Sequence, residues 1–343
     1  MKRWLALLLA LLLLPLSGAL CRAEETSAAE DRPYRYSGKM RLSARVYAGW
    51  SMTKGVDQIG TIPQKAYVQI HAYTPDFAYV TYPQGNVTGY VKRVCIQDIK
   101  VRGQQNIPPF GVEFNRFIAF VSAQDAPVTD TPGGGKTLVT LHQGCRVSLI
   151  GFENGYAKLI YHRQYGYIDS NLLAEALPVY RDPEAAGTDA PIAAYTSFYK
   201  LTTDESNQNR IVNLKVACDR MAALRFEPGD KLDFNAQVGP YSKRNGYLPA
   251  GTLSNEQVST GYGGGTCQVS STLYNVVLQL PGLTVLYRRA HGDNGASYLP
   301  IHMDAAVGNS SLNFKFRNDY SFPVRIEGTV QDGALTIAIY RAE

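Results

Sequence analysis

Between residues 38 and 178 apolar and polar side chains alternate in short runs, the period of a half-buried strand. One series reads Ala66-Tyr67-Val68-Gln69-Ile70, Phe77-Ala78-Tyr79-Val80-Thr81-Tyr82 and Gly89-Tyr90-Val91. A second reads Cys145-Arg146-Val147-Ser148-Leu149-Ile150, Tyr156-Ala157-Lys158-Leu159-Ile160-Tyr161 and Gly166-Tyr167-Ile168. Turn residues part the runs at matching places: Thr74-Pro75-Asp76 and Glu153-Asn154-Gly155, then Pro83-Gln84-Gly85-Asn86 and His162-Arg163-Gln164. A pattern that repeats predicts two like units rather than one large sheet. Their boundaries fall at about 38–100 and 115–177. Residues 178–191 have the composition of a linker. Beyond them the period changes. Ile211, Leu214, Cys218, Met221 and Leu224 follow helical spacing, closed by the turn Glu227-Pro228-Gly229-Asp230 between Phe226 and Phe234. Val269, Leu273, Val276 and Leu280 form a second helical stripe, ended by Pro281-Gly282. Strand-like runs follow at 283–287, 312–316, 324–327 and 334–340. The fold class expected is therefore multidomain: two small all-β units, then an α+β domain over 192–343.

The first residues change the picture of where this chain works. Lys2 and Arg3 precede the apolar run Trp4 to Leu14 and Pro15. That run falls short of the roughly 20 apolar residues of a membrane span and matches an export signal over residues 1–23. Cleavage fits after Ala19 or Ala23, and a small, polar leader occupies 24–37. The expected location is secreted or cell-envelope associated, with membrane contact only through an uncleaved signal. The formal charge is +5, and losing Lys2, Arg3 and Arg22 with the signal brings it near +2. So weak a balance argues against a nucleic-acid partner. Cys95, Cys145, Cys218 and Cys267 would remain, with irregular spacing and no Cys/His cluster of zinc type. No metal or cofactor is expected.

The densest chemical signal is Gly263-Gly264-Gly265-Thr266-Cys267-Gln268-Val269-Ser270-Ser271-Thr272-Leu273-Tyr274-Asn275. Three glycines permit a tight turn and leave space for another group to approach. Thr266 is a good N-cap, so Cys267 falls in the first helical turn. Free N–H groups and the positive helix end there favour a thiolate and could steady an oxyanion beside it. Three other readings of the same residues stand beside that one. Cys267 is a plain core thiol, it pairs with Cys218, or the glycines cradle an anion without the lysine of a P-loop.

The two series ending in Gly-Tyr-Val/Ile resemble bacterial SH3 domains, over about 40–97 and 118–175. That resemblance implies two small barrels that bind peptidoglycan or act as spacers. The C-terminal part resembles the VanW family over roughly 192–340. Phe234-Asn235, Val238-Gly239-Pro240, Gly246-Tyr247 and the run from Gly263 to Asn275 carry the likeness. So do Arg289, His291, Tyr298-Leu299-Pro300, Asp304-Ala305 and Phe314-Lys315-Phe316-Arg317-Asn318. Two positions depart from the family pattern: His291-Gly292 where His-Ser is usual, and His302-Met303 where Gly-Arg is usual. The family is named for accessory proteins of vancomycin-resistance clusters. The resemblance implies an exported protein whose partner is peptidoglycan or its precursors.

A cysteine on a helix followed by a His and an Asp suggests the logic of a thiol enzyme, with Cys267 as nucleophile, His291 as base and Asp304 orienting it. His302 competes with His291, which holds the family position. The expected substrate-binding set is Gly263, Gly264, Gly265, Thr266, Gln268, Ser270, Tyr274 and Arg289. Three readings of function follow: acyl transfer or amide hydrolysis on wall stem peptides, a non-catalytic module that binds wall precursors or partner proteins, or a wall-anchored scaffold in which Cys267 is only structural.

Overall fold

The structure is a computed structural model that describes residues 36–49, 56–73, 77–101 and 115–343, apart from 175, 181, 223, 255–256, 281, 293–294 and 301–302. The expected signal and nearly all of the leader lie outside the described residues, as do Thr74-Pro75-Asp76 and His302.

Seven strands form the first group: β1 (Tyr36–Met40), β2 (Ala44–Tyr47), β3 (Gln58–Ile62), β4 (Tyr67–Tyr73), β5 (Phe77–Tyr82), β6 (Val87–Lys92) and β7 (Ile96–Val101). They make one sheet in the order β3-β2-β6-β5-β4-β1-β7, antiparallel throughout. The second group holds β8 (Phe117–Phe120), β9 (Asp125–Thr131), β10 (Gly134–His142), β11 (Arg146–Leu149), β12 (Gly151–Glu153), β13 (Tyr156–Tyr161), β14 (Gln164–Asp169) and β15 (Leu177–Pro178). Its sheets run β10-β9-β14-β13-β12 and β11-β8-β15.

The two groups share one topology. Where β4 pairs with both β1 and β5, its counterpart breaks at Ile150 into β11, which pairs with β8, and β12, which pairs with β13. Every other pairing recurs in order. The repeated Gly-Tyr has a packing cause. A Cβ on Gly89 would lie 2.7 Å from Val46 Cγ1, and one on Gly166 would lie 2.6 Å from Val128 Cγ1. Glycine at both sites lets the neighbouring strand's valine close over the small core.

The C-terminal region is an α+β assembly. Its elements are β16 (Pro191–Phe198), α1 (Glu205–Ala222), β17 (Arg225–Phe226), β18 (Lys231–Asp233), α2 (Phe234–Val238), β19 (Pro249–Ser254), β20 (Gln257–Tyr262), α3 (Thr266–Val277), β21 (Leu283–Arg288), β22 (Phe314–Asn318), β23 (Val324–Gln331) and β24 (Ala334–Arg341). The main sheet runs β16-β24-β23-β17, beside β18-β22-β21 and the hairpin β19-β20. Leu214, Cys218 and Met221 of α1 and Val269, Leu273 and Val276 of α3 are buried, as their spacing predicts. Helix α1 ends at Ala222, ahead of the predicted stop, and the turn at 227–230 joins β17 to β18 instead.

The second β group docks on the C-terminal domain. Helices α1 and α3 lie against β23, β16 and β24, while β11 also packs on β16 and β24. All eight residues of β16 are buried, and so are seven of eight in β24. Strands covered on both faces lose the alternating pattern, so a sequence reading sees no docking surface. The contact is polar as well as apolar. Ser148 N donates to Thr196 Oγ1 at 2.8 Å, and Thr336 Oγ1 donates to the Arg146 carbonyl at 2.7 Å. Arg146 itself is buried, bonded to Tyr340 and ion-paired with Glu327. The stretch expected as a linker is also tied down: Arg325 Nη2 donates to Thr188 O at 2.9 Å, and Ala186 is buried in the C-terminal core.

Candidate active site

The site is built where α3 starts. Gly265, with φ of 108°, is the N-cap, and Thr266 is the first helical residue rather than the cap. Cys267 is still in the first turn. The three glycines do not leave open space. A Cβ on Gly263 would meet the Tyr241 ring at 2.8 Å, one on Gly264 the Gly251 carbonyl at 2.6 Å, and one on Gly265 the Arg210 Cγ at 2.8 Å. They let Tyr241, the β19 backbone and Arg210 close tightly around the helix start.

One polar face of α3 then fixes an extended segment over residues 303–307. Ser271 Oγ accepts from Ala305 N at 2.9 Å, Ser270 Oγ donates to Ala305 O, and Asn275 Nδ2 donates to Met303 O at 2.6 Å. On the far side of that segment, Ala306 N donates to Arg289 O at 2.7 Å. The chain leaving β21 is thereby held beside residues 303–307, and His291 is brought against Asp304.

Asp304 is fully buried. Its Oδ2 meets His291 Nδ1 at 2.6 Å and accepts from the His291 backbone N at 2.7 Å. Its Oδ1 lies 3.2 Å from Arg288 Nη2. A buried carboxylate is costly unless paired, and here two cations and an amide compensate it. Burial raises the Asp304 carboxyl, but the His291 bonds and the Arg288 charge outweigh that and hold it below the usual carboxylate range.

His291 shares its other side-chain hydrogen bond with Cys267. Burial opposes its charge, yet the bonds with Asp304 and Cys267 prevail and raise its pKa to about 10. The Cys267 sulfur also accepts from Val307 N at 3.4 Å. All four described cysteines are free thiols.

Cys267 and His291 open onto a cavity of about 540 Å³, whose wall includes Arg210, Tyr241, Tyr262, Tyr298 and Asn309. Gly263, Gly264, Gly265 and Thr266 line it as expected. Four members of the expected binding set do not. Gln268 is buried: its Nε2 donates to Ser197 Oγ at 3.1 Å and Phe198 O at 3.2 Å, and its Oε1 accepts from Arg210 Nη2. Ser270 is used up on backbone carbonyls, and Tyr274 is buried against Phe314 and under Arg288. Arg289 points outward and Arg288 takes the inward place, because the register of this strand shifts between Val285 and Tyr287. His291 and Asp304 sit on irregular segments between β21 and β22.

Arg288, Arg210 and Tyr241 escaped the sequence reading. Only Arg288 carried a signal, as the first of two arginines closing an apolar strand run. Among the described residues no group of three or more His, Cys, Asp or Glu side chains is placed to hold a metal ion, and no helix is long and apolar enough to cross a membrane.

The comparisons with known proteins meet in the C-terminal part of the chain. Residues 209–340 match the family described as VanW like protein. The C-terminal domain is VanW-like. The VanW-like domain contains Cys267, His291, Asp304, Arg288 and Arg210. Over 131 residues the chain is 30% identical to vancomycin B-type resistance protein VanW of Enterococcus faecalis (strain ATCC 700802 / V583), covering 36% of this chain and 46% of that protein. It therefore spans less than half of that relative's length. Over 240 residues it is 25% identical to the uncharacterized protein YoaR of Bacillus subtilis (strain 168), covering 68% of this chain and 76% of that one. A match of that extent reaches beyond the VanW-like domain into the strands before it. Among solved structures, an NlpC/P60 family protein from Bacillus cereus ATCC 10987 is 12% identical with a TM-score of 0.17, over 45% of this chain and 60% of that one. NlpC1 from Trichomonas vaginalis is 13% identical with a TM-score of 0.16, over 91% and 95%. At those scores neither likeness carries an argument.

Proposed function

We propose that the VanW-like domain is a thiol-dependent acyl-transfer or amide-hydrolysing domain acting on peptidoglycan stem peptides, carried by an exported cell-envelope protein. The observation that carries the reading is the chain Cys267–His291–Asp304, with the first two on a cavity and the third buried behind them. With His291 Nδ1–H given to Asp304, Nε2 is left for the thiol proton. The thiolate attacks the substrate carbonyl carbon, and a C–S bond forms. The oxyanion is held at the helix start, where the Cys267 N–H projects. The His291 imidazolium passes its proton to the leaving amine as the C–N bond breaks. Neutral His291 next takes a proton from water or an acceptor amine, which attacks the thioester and frees the thiolate. Asp304 and Arg288 are positioning residues: they hold the imidazole, not the substrate.

The wall as target rests on the likeness to a vancomycin B-type resistance protein, on the expected export signal, and on the two β repeats, which we read as SH3-like barrels serving as wall-binding modules or spacers. The test incubates the purified protein with soluble stem peptides and peptidoglycan fragments and reads products by mass spectrometry. Cleaved or exchanged amide bonds are expected, together with a trapped acyl adduct on Cys267. If wild type and Cys267→Ala give the same products while wall fragments still bind, the domain is the non-catalytic binding module.

A further inference from the structure

Among the described residues Arg210 is the one guanidinium on the cavity wall. It comes from α1, far in sequence from Cys267, and its stem lies across the N-cap of α3, with Cγ at 2.8 Å from where a Gly265 Cβ would sit. Its head is aimed by a buried side chain. Arg210 Nη2 donates to Gln268 Oε1 at 2.8 Å, and Gln268, only 1% exposed, is itself fixed by Ser197 Oγ and the Phe198 carbonyl. No Asp or Glu among the described residues lines the cavity, and Asp304 is sealed behind His291 with Arg288. Among the described residues the wall thus presents a guanidinium and an imidazole, plus hydroxyls and aromatic faces, and no carboxylate.

A guanidinium held by one nitrogen keeps further N–H donors for a planar anion, and a carboxylate matches that fork. We propose that Arg210 is a specificity-determining residue that anchors a carboxylate group of the acyl substrate beside Cys267. The proposal rests on the thiol-enzyme reading of the same cavity and adds the chemical class of the substrate: a peptide bearing a free carboxylate within side-chain reach of the scissile carbonyl. Three consequences follow from the geometry. Gly265 must remain glycine for the arginine stem to pass. Gln268 acts through Arg210 rather than on substrate. Amidating the substrate's carboxyl removes the recognised group.

The experiment alkylates Cys267 with iodoacetate, which is anionic, and with iodoacetamide, its neutral analogue, and takes the ratio of the two rates. Arg210→Gln is expected to lower that ratio by roughly three- to tenfold, the order of one charge-assisted contact in a partly open site, while iodoacetamide alone reacts at near the wild-type rate. Arg210→Lys should recover part of the ratio, having the charge without the fork. An unchanged ratio in Arg210→Gln overturns the proposal. His291→Ala separates the two ideas, because it should slow both reagents. If it slows neither, the Cys–His reading fails by itself. The carboxylate anchor is then judged by binding of an N-acetylated dipeptide with a free carboxyl end against its amide. Preference for the acid, lost in Arg210→Gln, supports the anchor; equal binding of both overturns it.

Discussion

Two helices of the VanW-like domain each carry one cysteine, and their surroundings differ in every respect that governs thiol chemistry. Cys218 lies in the C-terminal third of α1, packed against Gly328, where a Cβ would sit 2.7 Å from its sulfur. Burial pushes its thiol far above the ordinary range. Cys145, in the second β group, is likewise buried and pushed up to about 12. Cys267 stands at the start of α3, on a cavity, beside an imidazole whose partner carboxylate is sealed in the core. A helix interior makes a cysteine a small apolar side chain; a helix start beside an imidazole is the setting that the proposed nucleophile needs. Position within the helix decides, not residue type.

The largest expected break in this comparison is exchange of the two thiols. Cys267→Ala should lower turnover of stem-peptide amides by a factor on the order of a thousand or more, since no other group on the wall can form the thioester. Cys218→Ala should leave kcat within about twofold and cost about 1 kcal/mol of stability, the scale of a small cavity. Steady-state kinetics and denaturant melts of both variants check the pair.

Asp304→Asn comes next. It leaves Arg288 without its buried counter-charge and turns an acceptor of the His291 Nδ1–H into an amide. Loss of kcat by about a hundredfold or more is expected with little change in KM, together with about 3 kcal/mol of destabilisation. A change confined to KM would contradict the positioning role.

The pH dependence sharpens the contrast. His291 has its folded pKa raised to about 10, so its contribution to stability is complete below its ordinary value of 6.5 and is lost as pH rises through about 10. Asp304 is lowered, so its contribution is present above its ordinary value of 3.8 and is lost only as pH falls further. Wild type should therefore lose more stability than His291→Ala between pH 7 and 10, and the two curves should run parallel between pH 5 and 6. Melting temperatures across that range decide it.

A smaller effect is expected at Ser271. Ser271→Ala removes the acceptor of the Ala305 N–H, costing about 1 kcal/mol and a few-fold in kcat, because the segment bearing Asp304 loosens on the helix. Rescue by Ser271→Thr would support the positioning role.

Much of this site was legible in the chain. The glycine run and the stripe from Val269 to Leu280 locate a helix start at Cys267, and the family resemblance selects His291 and Asp304. The rest was hidden for physical reasons. Alternation counted from Leu283 and Val285 would turn Arg289 inward, but a register shift between Val285 and Tyr287 gives that place to Arg288, and no local motif marks it. Gln268, Ser270 and Tyr274 are near Cys267 in sequence, but the helix turns them onto the sheet and the 303–307 segment. Arg210 reaches the cavity only through the packing of α1 on α3, which no local motif announces. In the β repeats, the Gly89 and Gly166 pattern disclosed the shared topology. The docking of the second group was not disclosed, because β16 and β24 bury both faces.

The most direct test of the central claim is the rate at which iodoacetamide modifies each cysteine near pH 7, read by peptide mass spectrometry. The account predicts that Cys267 is modified first and faster than a free model thiol, that Cys145 and Cys218 stay protected, and that His291→Ala slows Cys267 and changes its pH profile. Modification of Cys267 at the same rate and with the same pH profile in wild type and His291→Ala would show that no working Cys–His pair exists.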